Sequence, residues 1–446
     1  MNSVEYLYLL IGTNPLSNYV VADYFLQNEP TLKEIHLIHS SEDLENNIVS
    51  TELYALNLKQ VLEKQSDCTR CVQFICHDIS IKDSKSIRAG LTMFLKAAVI
   101  GDLETEKPKQ NVHLDYSGGT KEMAMHSYET FKEIFGGSVS FSYFDSRRNV
   151  LKYDFGDKDE VEKNDEKNNS VFVDLSNKVK IDFEDLFLLH GYQRESIERD
   201  EIFKVDYFKN FLLMLQDPEN FCNYLRWREF FLKTYVKNQK NIPANGLQKL
   251  DELLPPDFSI SPRLKEDLFL KIHEVSPEIS FIENVGGEWY LRKEISNKQS
   301  DKLEETRKYI VGKWFEQYIY LILKENFYDI GFVSSVDLNL FIQTDKKNFE
   351  IDAAVIKGYE LCGISCTTDK TQSLCKSKGF EILHRTKQIA GNNSKAILMT
   401  FMNEENTKEL DEDLSEILDD RILVFGRNDL FPKSEFCRKI RDFLQR

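Results

Sequence analysis

Tyr6-Leu7-Tyr8-Leu9-Leu10-Ile11 runs directly into Gly12-Thr13-Asn14-Pro15, and Asn111 to Tyr116 runs in the same way into Ser117-Gly118-Gly119-Thr120-Lys121-Glu122-Met123. Each joins a strand-like stretch to a glycine loop, and a helical pattern from Leu16 to Leu26 follows the first. Working outward, Glu34 to Ile38, Val72 to Cys76 and Val139 to Phe144 read as three more strands, with helical stretches between them. That alternation predicts an α/β fold over residues 1–155, an open parallel sheet with covering helices. Ligands of such sheets bind outside the carboxyl ends of the strands, where both loops stand. Glycine lets backbone approach a ligand closely, and free amides at a helix N-terminus beside Lys121 favour a phosphate. A tight turn explains the glycine pair alone equally well; the two loops together are the more specific signal.

At 446 residues the chain has length for two or three domains. A mean hydropathy of -0.43 with 41% hydrophobic residues excludes a mostly disordered chain and a multi-pass membrane protein. The longest apolar stretch, around Leu91 to Ile100, is broken by Lys96 and falls short of the ~18 residues of a bilayer span. The opening Met-Asn-Ser-Val-Glu-Tyr carries neither a basic segment followed by an apolar one nor an Arg-rich leader, so a cytoplasmic protein is expected. Eight cysteines are too sparse for a disulfide scaffold. Cys68, Cys71, Cys76 and His77 include a Cys-x-x-Cys spacing without a second pair to complete a zinc site, and ordinary thiols are the simpler reading. Lys and Arg number 58 against 74 Asp and Glu, a net charge of -16, so any nucleic-acid site must be a local basic patch.

From Gly156 to Ser170 the composition turns to Asp, Glu, Lys and Asn, which reads as a solvated linker. Residues 171–300 carry Phe, Leu and Tyr at helical spacing (Phe183, Leu186, Phe187; Phe208, Phe211, Leu212) and then a hairpin, Ile279 to Arg292, turning at Gly286-Gly287. Helices followed by a short hairpin resemble a winged-helix connector, and a packing spacer is the plainer alternative. Over 301–446 the order is helix (Tyr309 to Lys324), strand (Phe332 to Phe341), hairpin (Phe349 to Ile356 and Tyr359 to Thr367, turning at Lys357-Gly358), helix (Gln372 to Ile389) and strand (Ala396 to Phe401). This is a second, mixed α/β domain.

Its chemistry gathers in that order. Glu350 and Asp352 are two apart on a strand, so both carboxylates are expected on one face, with Phe349, Ile351 and Ala353 on the other. Two carboxylates held together repel unless a cation intervenes, the situation of a Mg2+ or Mn2+ site; solvated edge charges are the alternative. Glu316 lies in an apolar helix. Lys378, Glu381 and Arg385 fall on one helical face. Residues 367–395 hold six basic residues (370, 376, 378, 385, 387, 395) against two acids (369, 381). That local excess suits a phosphodiester backbone.

The Gly-Thr-Asn-Pro loop and the Asp-Tyr-Ser-Gly-Gly-Thr-Lys stretch resemble the CARF domain, the Rossmann-like sensor of cyclic oligoadenylates in type III CRISPR systems. The resemblance implies that Thr13, Asn14, Asn18, Ser117, Gly118, Gly119, Thr120, Lys121 and Met123 line a ligand pocket. It also implies a homodimer sharing one ligand, with cyclic tetra-adenylate the favoured activator. The order of elements in 301–446 resembles the PD-(D/E)xK, restriction-endonuclease-like nuclease core, and Gly363 to Asp369 with Cys375 to Glu381 resembles CARF-linked CRISPR ancillary nucleases. There is one departure: where that core has Glu-x-Lys, this chain has Ser365-Cys366-Thr367. The reading preferred here moves the lysine and a carboxylate to the following helix, as Lys378 and Glu381. The implied function is cyclic-oligoadenylate-activated, metal-dependent cleavage of RNA and/or DNA in antiviral defence, with Asp352, Glu350 and Glu316 on the metal and Arg385 on the substrate backbone. The alternative is a cyclic-oligoadenylate-binding regulatory protein whose nuclease domain does not cleave.

Overall fold

The computed structural model describes residues 3–43, 45, 48–65, 71–100, 111–154, 172–194, 209, 212–231, 248–249, 282–291, 309–343, 348–391, 394–418 and 420–446. Gly156 to Ser170, Cys68, Phe208 and Phe211 lie outside these. Among the described residues no helix is long and apolar enough to cross a membrane.

The first sheet contains β1 (Tyr6–Leu10), β2 (Glu34–Ser40), β3 (Gln73–Ile79), β4 (Val112–Asp115), β5 (Val139–Asp145), β6 (Val150–Asp154) and β7 (Phe172–Asp174), in the order β3-β2-β1-β4-β5-β6-β7. The first five strands are parallel, as the alternating pattern requires, and their ends move by at most three residues from the sequence reading. β6 and β7 extend the sheet antiparallel. Helices α1 (Leu16–Asn28), α2 (Glu52–Gln65), α3 (Ser84–Ile100) and α4 (Lys121–Phe135) cover both faces. In β1, Leu7 and Leu9 enter one core while Tyr8 and Leu10 enter the other, which is why this strand reads as a continuous apolar run. The strand order reverses between β1 and β4. Their carboxyl ends, with the two glycine loops, therefore flank the crevice of the sheet.

The following segment is built into both sheets. β7 belongs to the first; α5 (Phe183–Leu189) packs on α2, with Lys64 Nζ 2.9 Å from Asp185; and β8 (Gln193–Arg194) is an edge strand of the second sheet, beside Ile342. Next come α6 (Pro218–Phe231), β9 (Gln248–Lys249), β10 (Ile282–Val285) and β11 (Glu288–Leu291). β9, β10 and β11 form a small antiparallel sheet whose expected hairpin turns at Gly286 and Gly287, with φ of 62° and 88°. Both values lie where only glycine is unstrained.

The second sheet runs β16-β15-β14-β13-β12-β8. Before it comes α7 (Trp314–Leu323), flanked by π-helical turns at Tyr309–Lys313 and Lys324–Tyr328. Its strands are β12 (Ser335–Gln343), β13 (Phe349–Lys357), β14 (Glu360–Cys366), β15 (Lys395–Met399) and β16 (Ile422–Phe425), with α8 (Gln372–Ala390), α9 (Glu404–Leu418) and α10 (Lys433–Gln445) packed around them. A single apolar cluster passes from β1, α1 and α2 through α5 into β13 and α8, so the two sheets share one core. Polar contacts lock the join. Asn149 donates to Glu360 at 2.7 Å and accepts from the Tyr359 hydroxyl at 2.9 Å, and the Ile181 amide donates to the Gly358 carbonyl at 3.0 Å.

Candidate functional site

At the crevice of the first sheet the two glycine loops interlock. Asn18, fully buried, donates from Nδ2 to the Leu10 carbonyl at 2.9 Å, and a Cβ on Gly118 would collide with that same carbonyl and with the Asn18 amide. Gly12 faces the Gly119 backbone just as closely, since a Cβ there would lie 3.1 Å from the Gly119 nitrogen. Thr120 caps α4, its hydroxyl accepting from the Met123 amide at 3.2 Å, which leaves the first amides of the helix facing the loop. Ser117 accepts from the Phe144 amide at 2.6 Å, and its own amide donates to Asp115 at 3.1 Å. The buried Asp115 also accepts from Ser142 at 2.7 Å, and burial raises its carboxyl to about 6.

Of the nine expected lining residues, Thr13, Thr120 and Lys121 are exposed, whereas Asn18 and Met123 lie beneath the loops as supports, Met123 packing under Gly119. Asn14 turns away from the sheet. Its side-chain amide meets His190 Nε2 at 3.2 Å and abuts Gly391 at the end of α8.

The second site assembles where three elements meet. Phe349 and Ile351 join the core under α8, but Ala353 and Val355 join the one under α7, so the expected single apolar face of β13 does not exist. The strand changes face at Asp352. Opposite it Asn339 adopts φ of 52°, and the β12–β13 ladder pairs Leu338 with Ala353 and Leu340 with Ile351 while skipping Asn339 and Asp352. The interruption frees the Asp352 carboxylate to replace the missing backbone partner of β14: Oδ2 accepts from the Cys366 amide at 2.6 Å and the Ser365 hydroxyl at 3.1 Å. Ser365 and Cys366, at the positions where the sequence resemblance leads one to expect Glu-x-Lys, thus orient Asp352 and bring no charge of their own; burial holds the Cys366 thiol well above its usual range.

Glu316 comes from α7 into the same space. Burial first, then the charges of Asp352 and Glu350, push its carboxyl up to about 8, with Lys313 and Lys378 opposing. Asp352 is raised chiefly by burial, against the Cys366 amide and Lys378, and Glu350 by burial and Asp352. Glu316 and Asp352 are therefore within electrostatic reach of Lys378, Glu350 is within reach of both acids, and Glu381 acts on Asp352 as well. Lys376, two positions from Lys378, points away to Asp413 at 2.8 Å. Arg385 rests over the Phe349 ring, 4.6 Å from its centroid, and bonds Gln388 at 3.2 Å. Among the described residues no three His, Cys, Asp or Glu side chains converge on one point. The donor set, mutually repelling carboxylates, is nonetheless the chemistry of a hard divalent cation.

Two residues escaped the sequence reading. Lys313, three before Glu316, faces Glu316 and Glu350 from the π-helical turn. A lysine one helical turn from a buried acid was the available signal. Arg228 of α6 donates to the Val311 carbonyl and, at 3.0 Å, to the Thr368 hydroxyl, tying together the segments that lead to Lys313 and to α8. Nothing local to Arg228 announces that role.

No family model matches the chain, and no curated protein does. Among solved structures it is similar to protein VC1899 from Vibrio cholerae, at 15% identity and a TM-score of 0.60 over 99% of this chain and 98% of that one. It is also similar to Can2 from Sulfobacillus thermosulfidooxidans, solved in complex with cyclic tetra-adenylate, at 15% identity and a TM-score of 0.56 over 99% of each chain. At such identities the likeness is one of fold. The chain shares with both proteins the architecture described above, along nearly the whole of its length.

Proposed function

We propose that the chain is a cyclic-oligoadenylate-activated, metal-dependent nuclease acting on RNA and/or DNA, with the first sheet as sensor and the second as effector. The observation that carries this reading is that Glu316 and Asp352, from a helix and a broken strand, lie within electrostatic reach of Lys378 on a second helix, with Glu350 beside the two acids. Asp352 and Glu350, with Glu316, would hold Mg2+ or Mn2+, which when bound polarises a phosphate and lowers the pKa of an attacking water. Lys378 stabilises the charge that develops on the phosphate, and the Cys366 amide and Ser365 hydroxyl keep Asp352 in place. Thr13, Lys121 and the amides at the start of α4 form the phosphate-facing side of the sensor crevice. A homodimer would present two such crevices to one cyclic ligand, as Can2's complex with cyclic tetra-adenylate makes worth testing. Activation requires that this ligand bind the active arrangement more tightly than the resting one.

The test is cleavage of labelled RNA and DNA by the purified chain, with and without cyclic tetra- and hexa-adenylate, in Mn2+ or in EDTA. Cleavage that needs both activator and metal is the expected result. Ligand binding without cleavage under every condition leaves a regulatory protein, and the effector half of the proposal falls.

A further inference from the structure

The sensor loop and the effector helix meet directly at Asn14 and Gly391 and are also joined through a short element that neither site contains. His190 and Tyr192 follow α5, the helix that packs on α2 of the sensor, and immediately precede β8, an edge strand of the effector sheet. His190 Nδ1 lies 3.0 Å from the Leu186 carbonyl and its Nε2 lies 3.2 Å from the Asn14 amide in the Gly12–Pro15 loop. The His190 and Tyr192 rings stack with an interplanar angle of 12°. The Tyr192 hydroxyl donates to the Gln388 backbone carbonyl at 3.0 Å, two residues before the end of α8. Gln388 in turn accepts from Arg385 at 3.2 Å, and Arg385 lies 4.0 Å from Glu381. Gly391, the C-cap of α8 with φ of 70°, has no room for a Cβ because the Asn14 side chain fills that space.

We infer that His190 and Tyr192 are positioning residues that tie the conformation of the Gly12–Pro15 loop to the setting of α8, the helix carrying Lys378, Glu381 and Arg385. The inference rests on the sensor and effector roles proposed above. A ligand drawing on Asn14 or its neighbours pulls at one end of a chain of close contacts whose other end is the last two turns of α8. A helix of this length moves as a unit, so a small shift at Gln388 is felt at Lys378, about 15 Å along the axis. The coupling is reciprocal: whatever loosens the α8 end also loosens the loop.

Hydrogen exchange on the full chain, with ligand affinity by calorimetry, tests this in Tyr192→Phe and His190→Gln. Tyr192→Phe removes only the hydroxyl, whereas His190→Gln keeps a polar side chain of similar length and removes the stacked ring. In the ligand-free protein, Tyr192→Phe should speed exchange at residues 12–18 by at least about threefold, although Tyr192 bonds only the α8 end. With cyclic tetra-adenylate, the wild type should change exchange over 385–391, and both variants should lose most of that change while holding affinity within about twofold. Loop exchange unaltered by Tyr192→Phe, or an equal response of α8 in all three proteins, overturns the inference. If no cyclic oligoadenylate binds the wild type, the functional proposal fails, and the ligand-free comparison still decides whether loop and helix are coupled.

Discussion

The crevice of the first sheet is a site made of backbone, and the cluster of the second is a site made of side chains. In the crevice, glycines at 12, 118 and 119 let two loops approach to contact distance, and capping by Thr120 leaves amides exposed. Each loop follows its own strand directly in sequence, and the pairing of β1 with β4 brings the two loops together. In the cluster, Glu316, Asp352 and Lys378 arrive from separate elements, and what unites them is a fault in the strand at Asn339 and Asp352. Each half of the backbone site is thus written in one local motif, whereas every member of the charge cluster depends on how separate elements pack.

The sharpest way to break the comparison is to remove the charge at the fault. Asp352→Asn should abolish metal-dependent cleavage while leaving the affinity for cyclic oligoadenylate unchanged, because the crevice draws nothing from β13. Near wild-type cleavage by this variant would show that the cluster is not the site.

A smaller loss is expected from Lys378, proposed to stand in for the missing motif residue. Lys378→Ala should slow cleavage at saturating metal and activator by about two to four powers of ten, as for the loss of a preorganised electrostatic donor. Lys376→Ala should cost little, since its ammonium is committed to Asp413 at 2.8 Å. Equal small losses in both would mean that α8 only attracts nucleic acid.

The crevice is expected to yield by a lesser amount. Charge-assisted contacts contribute about 1.5 to 3 kcal/mol each, so Lys121→Ala should weaken cyclic oligoadenylate binding by more than roughly tenfold. An unchanged dissociation constant by calorimetry would remove Lys121 from the ligand.

These residues also mark how far the sequence was readable. The five parallel strands follow from apolar runs alternating with helical stretches, and both glycine loops from the two runs, β1 and β4, that end in Gly-containing turns. Glu350, Asp352, Glu316 and Lys378 could be named from spacing and composition. The change of face at Asp352 could not, since a period-two pattern assumes an unbroken strand. Lys313, Arg228, His190 and Tyr192 owe their places to contacts made across 140 residues or more, or to an electrostatic neighbourhood that exists only once α7 and β13 pack. The burial of Asn18 and Met123 is similar: a resemblance marks a motif, and packing decides which of its residues face out.

The smallest expected effect is on stability. Glu316 is held at about 8 against an ordinary 4.5, so between these values the folded chain binds more protons than the unfolded one. Stability should therefore fall as pH rises from about 4.5 to about 8 and level off above. In EDTA, Glu316→Gln should match the wild-type Tm near pH 5 and exceed it by a few degrees at pH 8. Parallel Tm curves for the two proteins would mean that Glu316 is not held neutral by the cluster.

Mn2+ binding by calorimetry at pH 8, without activator or nucleic acid, goes most directly to the claim that the carboxylates of β13 and α7 form a divalent-cation site. The account predicts that the wild type binds Mn2+ and that Asp352→Asn weakens binding by at least about tenfold, the scale of losing a group that holds a metal. Absence of Mn2+ binding by the wild type, or equal affinity in both proteins, would contradict it.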